Sequence, residues 1–223
     1  MCGTFYVDDE TAKEIEKAIR MADERANGKG ANVKYLSNTL GRGESAHGKP
    51  LTGDIRPSDY ATVLSLANRH IISSVKRWGF PGFQSGKLII NARSESVLER
   101  KMFRESVLKR RLIIPATGFY EWNSHKEKVT FSPFKSSEST STPILFLAGF
   151  YNHFEGEDKF VILTTEANES IKGTHHRMPL IINPYELEDW LFDDYQIETF
   201  LKRTPPLLKK TQPYKQQSLF DYT

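Results

Sequence analysis

The sequence predicts an α+β fold: one β-rich domain with a curved, barrel-like antiparallel or mixed sheet and a few helices outside it. Three observations lead there. Short apolar runs bounded by turn residues recur from Ile71 onward. Helical periodicity is confined to a few stretches. The 223 residues, 38% hydrophobic and 12% aromatic, suffice for one sizeable core and are marginal for two.

The first element follows Asp8–Asp9. Ile15, Ala18, Ile19 and Ala22 fall at i, i+3, i+4 and i+7, one face of a helix, with an acidic cap before it and Asn27-Gly28 as a stop. Residues 27–53 are rich in Gly, Asn and Ser and read as a long surface loop with at most a short strand. Strands are expected at Ile71–Arg77, Lys87–Ile90, Leu112–Ala116, Phe119–Trp122, Val129–Phe134, Ile144–Tyr151, Phe160–Thr165 and Leu180–Ile182. Ser94–Lys109 reads as a helix between two of them. Asn183-Pro184 opens another helix toward Phe192, with Glu186 where a capping box wants it. A short helix covers Tyr195–Lys202. Thr204-Pro205-Pro206 then halts the chain, and a basic, poorly ordered tail follows. The expected organisation is a domain over 1–203 and a flexible tail over 204–223.

Lys plus Arg number 31 and Asp plus Glu 28, a net charge of +3. With an isoelectric point near 8.8, contact with nucleic acid is permitted but not required. No run approaches the roughly 18–20 apolar residues of a membrane span. The N-terminus lacks the basic and apolar regions of a secretory signal. The single cysteine, Cys2, has no internal disulfide partner, so a reducing, cytoplasmic setting is expected.

Cys2 is also the most suggestive residue for chemistry. Met1 before a small second residue is usually removed in cells, which would leave a thiol and a free α-amine on adjacent carbons. Their reference pKa values, about 8.5 and about 7.7–8.0, make both nucleophiles partly available near neutrality. Such a 1,2-aminothiol reacts with an aldehyde first as an imine, then as a five-membered thiazolidine. A chance cysteine in a frayed terminus is the ordinary alternative.

Four further segments stand out: Trp78-Gly79-Phe80-Pro81-Gly82, Asn91-Ala92-Arg93, Gly118-Phe119-Tyr120-Glu121-Trp122 and Thr174-His175-His176-Arg177-Met178-Pro179. Each has a structural reading too: a packed turn, a helix cap, a surface carboxylate and a hydrogen-bonded histidine. Glu121 is the strongest alone, because a strand carboxylate between aromatics is expected to be desolvated and raised in pKa. His175-His176 lacks the helical spacing of a zinc site, and no cysteine cluster accompanies it. Gly28-Lys29-Gly30 and Gly41-Arg42-Gly43 match no phosphate loop, and Gly-x-Ser-x-Gly is absent. No metal or cofactor is implied.

The order Met1-Cys2-Gly3, Trp78-Gly79-Phe80, Asn91-Ala92-Arg93-Ser94-Glu95, Pro115 to Trp122, His175-His176-Arg177-Met178-Pro179 resembles the SRAP family, the SOS response-associated peptidase domains. The resemblance covers about residues 2–192. It implies a DNA-damage protein that traps the ring-opened aldehyde of abasic single-stranded DNA as a thiazolidine crosslink, with lyase and autoprocessing peptidase activity as further possibilities. By motif position Cys2 is the nucleophile and Asn91 hydrogen-bonds near the ring. Glu121 handles protons on amine and imine, and His175 helps open the sugar.

DNA contacts are expected from Arg93 and Arg177 to phosphates, from Trp78 and Phe80 as a wedge or stacking surface, and from Trp122. The basic run Arg100, Lys101, Arg104, Lys109, Arg110 and Arg111 reads either as a further DNA surface or as a solvated helix. The family commonly has Arg at position 4, where this chain has Thr4, and Asn where it has Asp54. A phosphate contact and some local bonding are therefore expected to differ. An N-terminal-nucleophile cysteine peptidase or amidohydrolase using Cys2 and His175 is the alternative activity, and a non-catalytic nucleic-acid-binding module a third reading. A monomer is expected.

Gln216-Gln217-Ser218-Leu219-Phe220 resembles the short peptide by which bacterial proteins dock on the replication sliding clamp. Leu219 and Phe220 would enter an apolar pocket and Gln216 would orient them. A tail packed on its own domain through Phe220 is the other reading.

Overall fold

Strands dominate because the apolar runs are short, β-branched and aromatic, and are cut by turn residues before a helix could bury its stripe. A computed structural model describes residues 2–17, 51–67, 70–135 and 142–212. The N-terminal half contributes β1 (Thr4–Val7), a helix whose described part is residues 9–17 (α1), β2 (Gly53–Ile55), β3 (Tyr60–Ala67), β4 (His70–Trp78), β5 (Phe80–Pro81), β6 (Leu88–Ile89) and β7 (Asn91–Arg93). There follow α2 (Lys101–Lys109), β8 (Arg111–Ala116), β9 (Gly118–Trp122), β10 (Lys128–Ser132), β11 (Leu145–Phe154), β12 (Glu157–Glu166), β13 (Arg177–Pro179) and β14 (Ile181–Ile182). A 3-10 turn (Pro184–Glu186), α3 (Leu187–Phe192), α4 (Ile197–Leu201) and β15 (Lys209–Thr211) complete the described elements.

The larger sheet closes on itself. β4 pairs with β3, β3 with β8, β8 with β11, β11 with β12, and β12 returns to β4 as a parallel neighbour. This ring is the barrel-like core expected from the sequence. Every residue of β8 is buried, which explains its continuous apolar run in place of an alternation. At Gly149, β11 and β12 approach so closely that an added Cβ would lie 2.5 Å from the Val161 carbonyl oxygen. A second, five-stranded sheet runs β15-β10-β9-β1-β2.

The helices cover the barrel. α2 buries Phe103 and Val107, with the Phe103 ring edge-on to Phe150 at 5.4 Å. Trp190 of α3 donates its indole N–H to the Leu112 carbonyl at 3.0 Å. Arg111 is 6% exposed and donates to the carbonyls of Trp190, Leu191, Val107 and Leu108 and to Asp194. It fastens α2 and α3 to the barrel, so it is no part of a basic DNA surface. Asp8 accepts the Thr11 backbone N–H at 2.7 Å, the expected acidic cap of α1. The expected Asn27-Gly28 stop lies outside the described residues. Among the described residues no helix is long and apolar enough to cross a membrane.

Several boundaries differ from the sequence reading. The helix expected from Ser94 starts only at Lys101; residues 94–99 form turns. At Asn183 the capping box forms in part: the Glu186 carboxylate accepts the Asn183 backbone N–H, but the Asn183 side chain caps no backbone N–H and instead donates Nδ2 to Glu186 Oε2 at 2.7 Å, a carboxylate that Arg203 also binds. The chain does not leave the domain at residue 203. Asn168 Nδ2 holds the Pro205 and Pro206 carbonyls at 2.9 and 2.8 Å, Leu208 is buried, and β15 pairs with β10. The prolines stop a helix, but their carbonyls still satisfy a buried amide. Gln216, Leu219 and Phe220 lie outside the described residues.

Candidate active site

The site is assembled from three strands and one turn. β1 pairs with β9 so that Thr4 faces Tyr120, which sets the chain just before Thr4 alongside Glu121 and Trp122. β12 carries β7 along its residues 162–164 and β13 along 164–166, and so brings the Asn91 and Arg177 segments to one region.

Cys2 is fully buried. Its Sγ lies 3.8 Å from the Thr4 carbonyl oxygen. Asn91 donates Nδ2 to the Cys2 carbonyl at 3.0 Å and ties the start of the chain to the barrel. The other atom of that amide, Oδ1, is buried and has no hydrogen-bond partner among the described residues. Burial pushes the Cys2 thiol well above its ordinary pKa, and the Glu121 charge pushes the same way. Both effects favour the thiol over the thiolate.

Glu121 is 3% exposed and points inward, on the same side of β9 as buried Phe119. Burial raises its carboxyl above the usual range; the positive amino terminus and His176 oppose the shift. The desolvation expected from the sequence is present. It comes from the inward face of the strand, since Trp122 points outward and is 45% exposed. His175 is half-buried. Burial and the positive amino terminus hold its imidazole below the usual pKa. His175 Nδ1 lies 3.0 Å from the Arg177 backbone nitrogen and 3.2 Å from the Arg177 carbonyl oxygen, so the tautomer of a neutral ring decides which of the two it bonds. His175 and His176 are stacked with centroids 4.5 Å apart, and His176 faces solvent. Among the described residues no group of His, Cys, Asp and Glu could hold a metal ion.

The expected DNA contacts divide. Arg93 and Trp122 are exposed. Trp78 and Phe80 are not a stacking surface: both are 0% exposed. The Trp78 indole donates to the Ile90 carbonyl at 2.9 Å and stacks on Phe160, while Phe80 packs on Phe103, Phe150 and Phe154. The motif anchors the turn ahead of Asn91 from inside, through the Trp78 bond to Ile90 and the packing of both rings in the barrel. Nor is Arg177 an open phosphate contact. It is 6% exposed, holds both Glu95 oxygens at 2.7 and 2.8 Å, and donates to the Thr164 carbonyl at 2.6 Å.

That pair has a pH signature. Burial acts to raise the Glu95 carboxyl, but the Arg177 guanidinium outweighs it and holds it below the usual range. Its contribution to stability is full above the unfolded carboxylate pKa, about 4.3, and is lost as pH falls through the lower folded value. Glu95 is 45% exposed, so Glu95→Gln is expected to cost only about 1 kcal/mol at pH 7 after screening. It should also flatten the acid limb of stability in urea melts from pH 6 to pH 3.

The two departures at positions 4 and 54 are also visible. Thr4 is buried and donates to the Gly3 carbonyl at 2.7 Å, so it adds no charge to the surface. Asp54 accepts the Tyr120 hydroxyl at 3.0 Å, with Lys128 Nζ 3.8 Å away. Lys128 has no place in the motifs read from the sequence. Its position directly across from Trp122 follows only from strand register.

Comparison with known proteins agrees with this architecture. YoqW of Bacillus subtilis (strain 168) is 35% identical over 149 residues, 62% of this chain and 65% of its own length. YoaM of the same strain is 35% identical over 125 residues, 52% and 54% of the two chains. YedK of Escherichia coli (strain K12) is 28% identical over 142 residues, 62% and 63%. All three are named abasic site processing proteins, and the matches span between about half and two thirds of their lengths. Two crystal structures of Bordetella bronchiseptica proteins, one of them phage-related, share the fold. Their TM-scores are 0.65 and 0.67, at 18% and 16% identity, over 96% of this chain and 100% and 95% of theirs. The model of the SOS response associated peptidase family matches residues 1–219. With nearly the whole length matched and the same barrel beneath it, the chain belongs to the SRAP family.

Proposed function

We propose that this protein responds to DNA damage by capturing abasic sites in single-stranded DNA as a thiazolidine crosslink through Cys2, once Met1 has been removed. The observation that carries this reading is the meeting of Cys2, Asn91 and Glu121 at the start of β1, with buried Asn91 Oδ1 left over as an acceptor. The names of the relatives support the same class of substrate.

The chemistry balances without a cofactor. The freed Cys2 amine attacks the sugar aldehyde carbon, and loss of one water gives the imine. The thiol sulfur then adds to the imine carbon while a proton reaches the nitrogen, with no further loss of mass. Glu121 accepts a proton from the ammonium and returns it at the hydroxyl that leaves. His175 offers a ring N–H to the sugar ring oxygen as the ring C–O bond breaks, and the anomeric hydroxyl gives up its proton to water as it becomes the aldehyde oxygen. Asn91 orients Cys2 through its carbonyl. The test is intact mass after incubation with an abasic oligonucleotide: the adduct should weigh one water less than the processed protein plus DNA. An undamaged oligonucleotide should give none, and neither should protein whose Met1 is retained. Adduct formation by the Met1-retaining form would overturn the reading.

The Glu121 role has a pH consequence. Because burial raises its carboxyl, its basic form is lost as pH falls through a value higher than that of a surface carboxylate. The wild-type capture rate should decline on that limb. Glu121→Gln should move the decline up to the amine's own pKa, about 7.7–8.0. A loss of about 100-fold at pH 6 is expected, measured by quenched time courses.

The tail belongs to the same proposal. Gln216, Leu219 and Phe220 dock on the sliding clamp, and a pull-down on purified clamp should retain wild type but not a Leu219/Phe220 double alanine variant.

A further inference from the structure

The outer face of the five-stranded sheet carries a group that the capture chemistry does not use. Along β9 and β10 the side chains alternate. Phe119, Glu121, Val129 and Phe131 are buried, while Tyr120, Trp122, Lys128 and Thr130 face outward. Tyr6 of β1 stacks on Tyr120 with centroids 5.0 Å apart and planes at 16°. Lys128 Nζ lies 3.4 Å from the Tyr120 ring centroid on its way out, so the ring is sandwiched between Tyr6 and an ammonium. The Asp54 carboxylate accepts the Tyr120 hydroxyl and sits 3.8 Å from the same ammonium. Lys128 and Trp122 are direct cross-strand partners, a relation that puts Cβ atoms about 5 Å apart. The chain leading to Cys2 runs along the other side of Trp122.

We infer that Lys128 completes a nucleotide subsite beside Trp122, the DNA contact already expected from the sequence: the indole stacks a base of the single strand flanking the lesion and Lys128 binds its phosphate. The inference rests on the reading of the protein as a binder of abasic single strands. An indole face accepts any base, and an ammonium beside it matches the charge that follows each base. Single-stranded DNA fits this face better than a protein partner does. Trp122 presents one exposed aromatic ring with Lys128 directly across the strand pair, and Lys209 lies farther along the same face opposite Ser132. Tyr6 and Tyr120 are positioning residues: both faces of the Tyr120 ring are occupied, so it holds the ammonium and stacks no base. Asp54 competes with phosphate for Lys128.

The test is fluorescence anisotropy with a labelled, lesion-free single-stranded oligonucleotide from 50 to 200 mM salt, with adduct formation on an abasic oligonucleotide followed in parallel. Lys128→Met should lower the log–log salt slope by about 0.7, the value for one phosphate contact on a single strand, and Lys128→Arg should restore it. Trp122→Ala should weaken binding about 5- to 150-fold with an unchanged slope. Asp54→Asn should tighten binding about 2- to 5-fold, and that gain should vanish in the Lys128→Met background. Lys202→Met, an exposed lysine at the end of α4, serves as the charge control. Wild type that forms the adduct while Lys128→Met keeps the wild-type slope overturns the subsite alone. Wild type that neither binds the strand nor forms the adduct overturns the underlying reading.

Discussion

Cys2→Ala protein mixed with an abasic single strand is expected to yield no adduct that survives denaturing electrophoresis, while borohydride still traps an imine. The substitution keeps the α-amine, so the first step remains open, and it removes the sulfur that closes the ring. An imine hydrolyses back to amine and aldehyde; a thiazolidine returns only after the carbon–sulfur bond reopens. The wild-type adduct should accordingly resist borohydride and the variant's should require it. A hydroxyl is a far weaker nucleophile than a thiol near neutrality, so Cys2→Ser should behave like Cys2→Ala at short times. A heat-stable adduct from Cys2→Ala would refute the thiazolidine. Because Cys2 is fully buried beside Glu121, circular dichroism melts of both variants should accompany the assay.

The second large effect concerns two tryptophans that look alike in the sequence. Trp78→Ala should destabilise the protein by about 3–5 kcal/mol, the range for removing a fully buried large aromatic. It empties the space between Phe5 and Phe160 and leaves the Ile90 carbonyl without its indole donor. In a domain of this size that corresponds to a fall in Tm of roughly 6–20 °C. Trp122→Ala, at 45% exposure, should change stability by no more than about 0.5 kcal/mol and express its effect in DNA binding. Thermal melts of the two variants beside anisotropy with an intact single strand separate the roles. A Trp78→Ala protein that melts like wild type yet binds DNA poorly would reverse this assignment.

The motif residues show where sequence reasoning stops. Cys2, Glu121 and His175 stand out in the sequence because each is a chemically unusual residue in an unusual place: a second-position aminothiol, a carboxylate among aromatics, a histidine pair before a strand; Asn91 enters only through the family resemblance. Aromatic and basic residues gave a weaker signal. Trp78, Phe80, Arg111 and Arg177 are the types that bind nucleic acid, but equally the types that fill a barrel or staple helices to it. All four are internal. Lys128 carried no signal, since one lysine in a strand is ordinary until pairing places it beside Trp122 and over Tyr120.

Residue order alone specifies the β-rich class, most strand centres and which residue carries an aminothiol. Alternation, turn residues and side-chain reactivity are local properties, and local properties are written in the order of residues. Long-range packing in the folded chain selects the closure of the barrel through the parallel pairing of β12 with β4. It also decided that residues 209–211 form an edge strand, and which aromatics and arginines face solvent. Those outcomes depend on pairings between distant segments, where register and burial select one of several arrangements that local pattern leaves equal.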